Sequence, residues 1–180
     1  DVYTRQGSAL YGQTLGLVGL GNLGSRMALI AKAFGMNVIA WSPNLTPDRA
    51  RDGGVEYVDK ETLFRTADIV SVHMVLAPST RGIVGVAELG QMKPDAVLIN
   101  TARGPLVDGD ALMSALTERR IAGAGIDVYD HEPLPANHPL RTTPGTMLTP
   151  HLGYCVRETF AAFYGQSVDN LDGWLNGAPK

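Results

Sequence analysis

Short apolar runs rich in β-branched residues recur along the 180-residue chain, and the stretches between them space their apolar positions as helices do. Residues 15–19, 37–41, 55–58, 69–73, 95–100 and 121–127 read as buried strands. Residues 23–34 place Met27, Ile30, Ala31 and Phe34 on one helical stripe that stops at Gly35. Thr46-Pro47-Asp48 supplies an N-cap, a proline at the first helical position and an acid in the first turn, for a short helix to Arg51. Asp59 caps a third helix through Phe64, and a fourth spans residues 109–120. Residues 153–176 read as a long closing helix with Phe160, Phe163, Val168, Leu171 and Leu175 apolar. Residues 133–150 carry five prolines and little periodicity, which predicts an extended loop or arm. Alternation of strand and helix over six or seven units is the pattern of an α/β fold, a doubly wound parallel sheet.

Composition narrows the choice of partners. At 44% hydrophobic content the chain can bury a core as one domain, and residues 1–180 are read as a single unit. A formal charge of -3 with both signs interspersed offers no basic face for nucleic acid and no polybasic run for anionic lipid. The apolar runs are of strand length, too short to span a membrane. Cys155 is the single cysteine, so there is no internal disulfide and no cysteine-pair metal site, and no metal is expected. A soluble protein of a reducing compartment, the cytoplasm, is the expectation.

The chemistry begins at Gly19-Leu20-Gly21-Asn22-Leu23-Gly24, which follows a predicted strand and opens a predicted helix. In that context Gly19 makes the tight exit, Gly21 lets a pyrophosphate approach the backbone, and Gly24 permits close helix packing. The anion would meet the N–H groups of Asn22 and Leu23 at the helix N-terminus. The fold class is therefore Rossmann-type, a cofactor-binding domain. After the second strand stands Ser42, where an acid would favour the ribose of NAD and an arginine the 2′-phosphate of NADP. NAD or NADP both remain open, with NAD slightly preferred; Arg49 and Arg51 are read mainly as solvated helix-face residues. His73, at a strand end, is read as structural or cofactor-lining.

Three later motifs carry polar residues where strand patterns give way to loops: Asn100-Thr101-Ala102-Arg103-Gly104, the run from Asp127 to Glu132 and Pro133, and Thr149-Pro150-His151 with Gly153. With the glycine turn, they make the sequence similar to the D-isomer-specific 2-hydroxyacid dehydrogenase family, specifically its NAD-binding domain. The resemblance covers nearly the whole chain. It implies that Arg103 binds a substrate carboxylate and carbonyl, that His151 is the acid/base with Glu132 as its partner, and that Asp127 holds the nicotinamide carboxamide. Thr101 and Ala102 are implied along the nicotinamide half of the cofactor, and Gly153 beside it. It further implies that residues 1–12 resemble an interdomain helix and 153–177 the closing helix, with a substrate domain absent, as in a fragment. A homodimer through this domain is also implied, an expectation that a monomer in light scattering at micromolar concentration would contradict.

The roles make chemical sense without the name. Hydride transfer to a 2-keto acid needs a proton donor for the nascent alkoxide, and a histidine changes charge near neutral pH. A carboxylate such as Glu132 favours the protonated imidazole. Arg103 offers a planar fork that matches a carboxylate in two hydrogen bonds. Each residue also has an ordinary reading: Arg103 as half of an ion pair, His151 as a cap of the last helix, Glu132 as a loop acid, Cys155 as a small buried hydrophobe, and His131 and His138 as solvated. Three functions compete: the cofactor half of a hydroxypyruvate/glyoxylate reductase-like or phosphoglycerate dehydrogenase-like oxidoreductase acting on a small 2-keto or 2-hydroxy acid, inactive or weakly active alone; a dinucleotide-sensing interaction module resembling the family's corepressor branch; and a formate-dehydrogenase-like enzyme, against which Glu132 argues.

Overall fold

The structure, a computed structural model, describes residues 7–178. Half of the interdomain-helix expectation, residues 1–6, lies outside the described residues; residues 7–12 are irregular and end in a turn. Seven strands form one all-parallel sheet in the order β3-β2-β1-β4-β5-β6-β7. They are β1 (Thr14–Val18), β2 (Asn37–Trp41), β3 (Glu56–Tyr57), β4 (Ile69–Val72), β5 (Val97–Asn100), β6 (Gly123–Ile126) and β7 (Thr146–Leu148). The crossovers carry α1 (Asn22–Ala33), α2 (Pro47–Asp52), α3 (Lys60–Thr66), α4 (Val86–Gln91) and α5 (Gly109–Thr117), and α6 (Arg157–Leu175) closes the chain. Strand order reverses between β1 and β4, so a crevice opens at their carboxyl ends, where ligands of doubly wound sheets bind.

The strands read as continuous apolar runs because both faces are covered. Along β1, Leu15 and Leu17 join one buried cluster with Ala28, Ala31, Val38 and Ala40, while Val18 joins the other with Phe64, Val70, Val72, Leu98 and Leu116. That alternation is the period of two of a pleated strand. Among the described residues the predicted caps form: the Thr46 hydroxyl accepts from the Arg49 amide at 3.3 Å, and the Asp59 carboxylate accepts from the Thr62 amide at 2.8 Å. Asp68 accepts from the Thr14 amide at 2.8 Å and pairs with Lys93 at 2.7 Å, tying the start of β1 to β4.

Four expectations are corrected. The proline-rich stretch 133–150 is not an extended arm, for it contains a 3-10 turn over Pro139–Arg141 and the edge strand β7. The Arg141 guanidinium donates to the Leu134 and Pro135 carbonyls at 2.6 and 2.8 Å and folds the stretch back on itself. The short helix α4 falls where no element was expected; the Glu88 carboxylate reaches back to the Gly85 amide at 2.8 Å and starts it. In α1 the buried positions are Gly24, Ala28 and Ala31, whereas Ile30 and Phe34 of the expected stripe are exposed. Cys155 is exposed rather than buried.

The chain divides into two compact units, Asp1–Pro150 and His151–Lys180. Within the second, Tyr154 lies near Phe160 and Phe163, each with ring centroids 6.3 Å away, and Phe163, Val168, Leu171 and Trp174 are exposed. No helix of the described residues is long and apolar enough to cross a membrane.

Candidate functional site

The glycine turn leaves β1 with Gly19 at φ 106°, a conformation that side chains disfavour. A Cβ there would sit 2.6 Å from the His73 carbonyl oxygen, and a Cβ on Gly24 would sit 2.2 Å from the carbonyl of Gly19. Strand end, turn and helix start are thus in backbone contact. A Cβ on Gly21 would meet nothing within 4 Å. Gly21 is the N-cap of α1, no side chain caps that helix, and its first turn holds no acid. The N–H groups of Asn22 and Leu23 therefore face an open position at the positive end of a twelve-residue helix, which suits a pyrophosphate. The residues fit a dinucleotide.

His73 follows β4 on the other side of the switch point, and its amide donates to the Val18 carbonyl at 2.8 Å. Its Nε2 lies 2.9 Å from the Ser71 hydroxyl. Burial holds its pKa below the usual histidine value and favours the neutral ring. At the end of β2, Ser42 is half-buried and its carbonyl accepts from the Leu45 amide at 3.1 Å. Arg51 pairs with Asp48, and the Arg49 guanidinium donates to the Asn44 carbonyl at 3.2 Å, beside the loop that carries Ser42.

The carboxyl ends of β5 and β6 carry the second group. Asn100 is 1% exposed and closes the following turn with both ends of its amide: Oδ1 accepts from the Ala102 amide at 3.1 Å and Nδ2 donates to the Arg103 carbonyl at 2.9 Å. This side-chain-to-backbone clamp fixes the chain direction at Thr101 and Ala102 and sends Arg103 outward. Arg103 is exposed and, among the described residues, has no ion pair; its guanidinium donates to the Ala102 carbonyl at 2.6 Å. The ion-pair reading of Arg103 is therefore not what the fold builds. A Cβ on Gly104 would lie 2.2 Å from the Tyr129 carbonyl carbon and 2.6 Å from the Asp130 nitrogen. Only glycine lets the Arg103 turn rest on the backbone that leads to Glu132.

That backbone is strongly cross-linked. Asp127 is 5% exposed; its amide donates to the Asn100 carbonyl at 3.0 Å and its carboxylate accepts from the Thr149 hydroxyl at 2.5 Å. Glu132 Oε1 accepts from the Tyr129 amide at 2.9 Å. The Tyr129 hydroxyl donates to the Thr149 carbonyl at 2.8 Å and also lies 3.1 Å from that of Ile126. Burial first, and then the negative charge of Asp127, raise the Tyr129 pKa and keep the phenol protonated as a donor. The sequence reading gave Tyr129 and Asn100 no role. An asparagine ending a buried strand was the available signal for the second, and nothing local marks the first.

His151 stands in the second unit with a left-handed backbone, φ 56°. Its ring meets that of Tyr154 edge-on with centroids 5.6 Å apart. A non-glycine residue in this region is uncommon and tends to mark a functional or strained position. His151 does not cap α6, whose N-cap is Val156, and Gly153 lies exposed between them. Of the other histidines, His131 is exposed, while His138 is half-buried and caps the 3-10 turn, its Nδ1 accepting from the Leu140 amide at 3.2 Å. A cavity of about 410 Å³ beside Gly104 is lined by Asp108, Met113, Tyr129, Leu134 and His138, and no residue of the glycine turn borders it. Among the described residues no group of three or more His, Cys, Asp or Glu could hold a metal ion.

Residues 3–153 match the model of the D-isomer specific 2-hydroxyacid dehydrogenase, NAD binding domain. The chain belongs to this family. It is 45% identical over 171 residues to a glyoxylate reductase of Thermococcus litoralis, covering 95% of this chain and 51% of that protein. It is 42% identical over 154 residues to a D-3-phosphoglycerate dehydrogenase of Methanocaldococcus jannaschii, covering 85% of this chain and 29% of that one. A solved structure of a putative D-3-phosphoglycerate dehydrogenase oxidoreductase from Ralstonia solanacearum superimposes with a TM-score of 0.91 at 39% identity, over 96% of this chain and 51% of the other. The chain thus spans about half the length of the glyoxylate reductases it matches. Family membership makes a nicotinamide dinucleotide the cofactor class and agrees with the Rossmann-type sheet.

Proposed function

We propose that this chain is the cofactor-binding and catalytic half of an NAD(P)-dependent 2-hydroxyacid dehydrogenase, or 2-keto acid reductase, acting on a small substrate of the glyoxylate, hydroxypyruvate or phosphoglycerate type. The observation that carries this reading is the meeting of the Arg103 turn with the Glu132 loop at the carboxyl ends of β5 and β6, through the contact of Gly104 with Tyr129 and Asp130. An exposed arginine without an acidic partner among the described residues is available to an anionic substrate. A guanidinium held outward grips the substrate carboxylate in two hydrogen bonds and polarises the adjacent carbonyl.

Reduced nicotinamide, when bound, supplies the hydride to the carbonyl carbon. His151 gives its proton to the carbonyl oxygen as the hydride arrives, leaving a hydroxyl on the product and a neutral ring on the protein; oxidation runs the same proton back. Glu132, as the partner of His151, favours the charged ring through opposite charge before transfer. Asp127, buried and held by Thr149, presents its carboxylate to the nicotinamide amide, with Thr101 and Ala102 alongside. Gly19 to Gly24 hold the pyrophosphate, His73 flanks it, and Ser42 faces the adenosine ribose.

The test is Arg103→Ala in the full-length enzyme. Loss of a bidentate, charge-assisted contact made to substrate and transition state is expected to lower kcat/KM for a 2-keto acid by a factor of order 10³ while dinucleotide affinity stays unchanged. Retained turnover would sink the proposal.

A further inference from the structure

Tyr129 meets both segments that the proposed chemistry needs, and it does so with two different groups. Its backbone amide donates to Glu132 Oε1 at 2.9 Å, which holds that carboxylate in one orientation. Its hydroxyl donates to the Thr149 carbonyl at 2.8 Å, on the residue two before His151 in the chain. Thr149 is held a second time by its own amide on the Ile126 carbonyl at 3.0 Å and a third time through its hydroxyl on Asp127. The charged groups that act on the phenol are Asp127, Arg141 and Glu132. Arg141 is occupied by the carbonyls of Leu134 and Pro135, so the phenol keeps its own two acceptors.

We propose that Tyr129 is a positioning residue for proton transfer: one residue fixes the proton-stabilising carboxylate with its amide and the segment leading to the acid/base histidine with its hydroxyl. The inference rests on the function proposed above. Tyr129 touches neither substrate nor cofactor in this role; it sets the geometry of the groups that do. Proton transfer is steep in distance and alignment, so loss of one tether lowers turnover without weakening the binding of either ligand.

The experiment is Tyr129→Phe in the full-length enzyme. Phenylalanine keeps the ring and its packing and removes only the hydroxyl, and the amide on Glu132 is untouched. The expected result is a fall in kcat of roughly 10-fold with the dinucleotide Kd within about 2-fold of wild type. The solvent deuterium isotope effect on kcat is expected to rise, because proton transfer becomes more nearly rate-limiting. A merely structural role lowers the active fraction and leaves that isotope effect where it was. Unchanged kcat, or a fall in kcat with an unchanged isotope effect, overturns the inference. Arg103→Ala separates this from failure of the underlying function: an inactive Arg103→Ala enzyme beside a fully active Tyr129→Phe enzyme sinks the positioning role alone.

Discussion

His73 illustrates how one residue links the sheet to the site. Its backbone continues the β1–β4 ladder, its carbonyl lies against Gly19, and its ring is half-buried with Nε2 on the Ser71 hydroxyl. Burial lowers its pKa below 6.5, so the folded chain binds a proton there less readily than the unfolded chain does. The sign follows: stability is fully present above pH 6.5 and is lost as pH falls from that value through the folded pKa. Asp68 and Glu88 start from lower ordinary values, 3.8 and 4.5, and are lowered from them. For each, burial alone would raise the pKa, but Lys93 with the Thr14 amide, and Lys60 with the Gly85 amide, outweigh it and leave the group depressed. A decline that sets in as pH falls below 6.5 is therefore assigned to His73 and not to the carboxylates. Urea midpoints measured at about pH 7.5 and about pH 5.5 are expected to separate for the wild-type chain and to close up in His73→Gln. An equal gap in both proteins would contradict the assignment.

At the scale of elements, the Asn100–Gly104 turn and the loop after β6 are built against each other, and Gly104 is the point of contact. A methyl group at 2.2 Å from the Tyr129 carbonyl carbon and 2.6 Å from the Asp130 nitrogen meets backbone, which cannot swing away as the end of a flexible side chain could. Gly104→Ala is expected to destabilise the chain by about 2 kcal/mol, the range of an overpacked site, as read from urea unfolding. An unchanged midpoint would show that the two segments move independently. Buried strands were legible because a parallel sheet covered on both faces leaves uninterrupted apolar runs. Where they end was legible because Gly19, Asn100 and Asp127 interrupt those runs. The edge strand β7 was not: it has three residues, none fully buried, between Pro144 and Pro150. The face of α1 was misread because its large residues share a stripe while its small ones make the contact. With Gly24 against the Gly19 carbonyl the helix lies too close for anything larger than Ala28 and Ala31. Tyr129 was illegible because its partners Ile126, Glu132 and Thr149 meet only once the loop after β6 and the end of β7 are folded.

For the molecule as a whole, the two halves of the proposed chemistry differ in what they require. The proposed pyrophosphate cradle draws only on β1, α1 and β4, all of which belong to the sheet unit. A keto acid gripped by Arg103 would, by contrast, also need water excluded and the reacting atoms aligned for hydride transfer, and this chain spans about half the length of the glyoxylate reductases it matches. The chain by itself is accordingly expected to bind reduced dinucleotide and to turn over glyoxylate or hydroxypyruvate poorly or not at all. Calorimetric titrations with NADH and NADPH at one salt concentration test the first part and at the same time resolve the ribose site. Ser42 brings no charge, while Arg49 lies beside the Ser42 loop through its bond to the Asn44 carbonyl, and Arg51 is neutralised by Asp48. Tighter NADPH would mean that Arg49 leaves that carbonyl for a 2′-phosphate. Tighter NADH is the expected result, with Ser42 serving the ribose hydroxyls, because a cation already bonded and exposed gains little from a second partner. Binding of neither would reduce the glycine turn to scaffold and remove the basis of the proposed function.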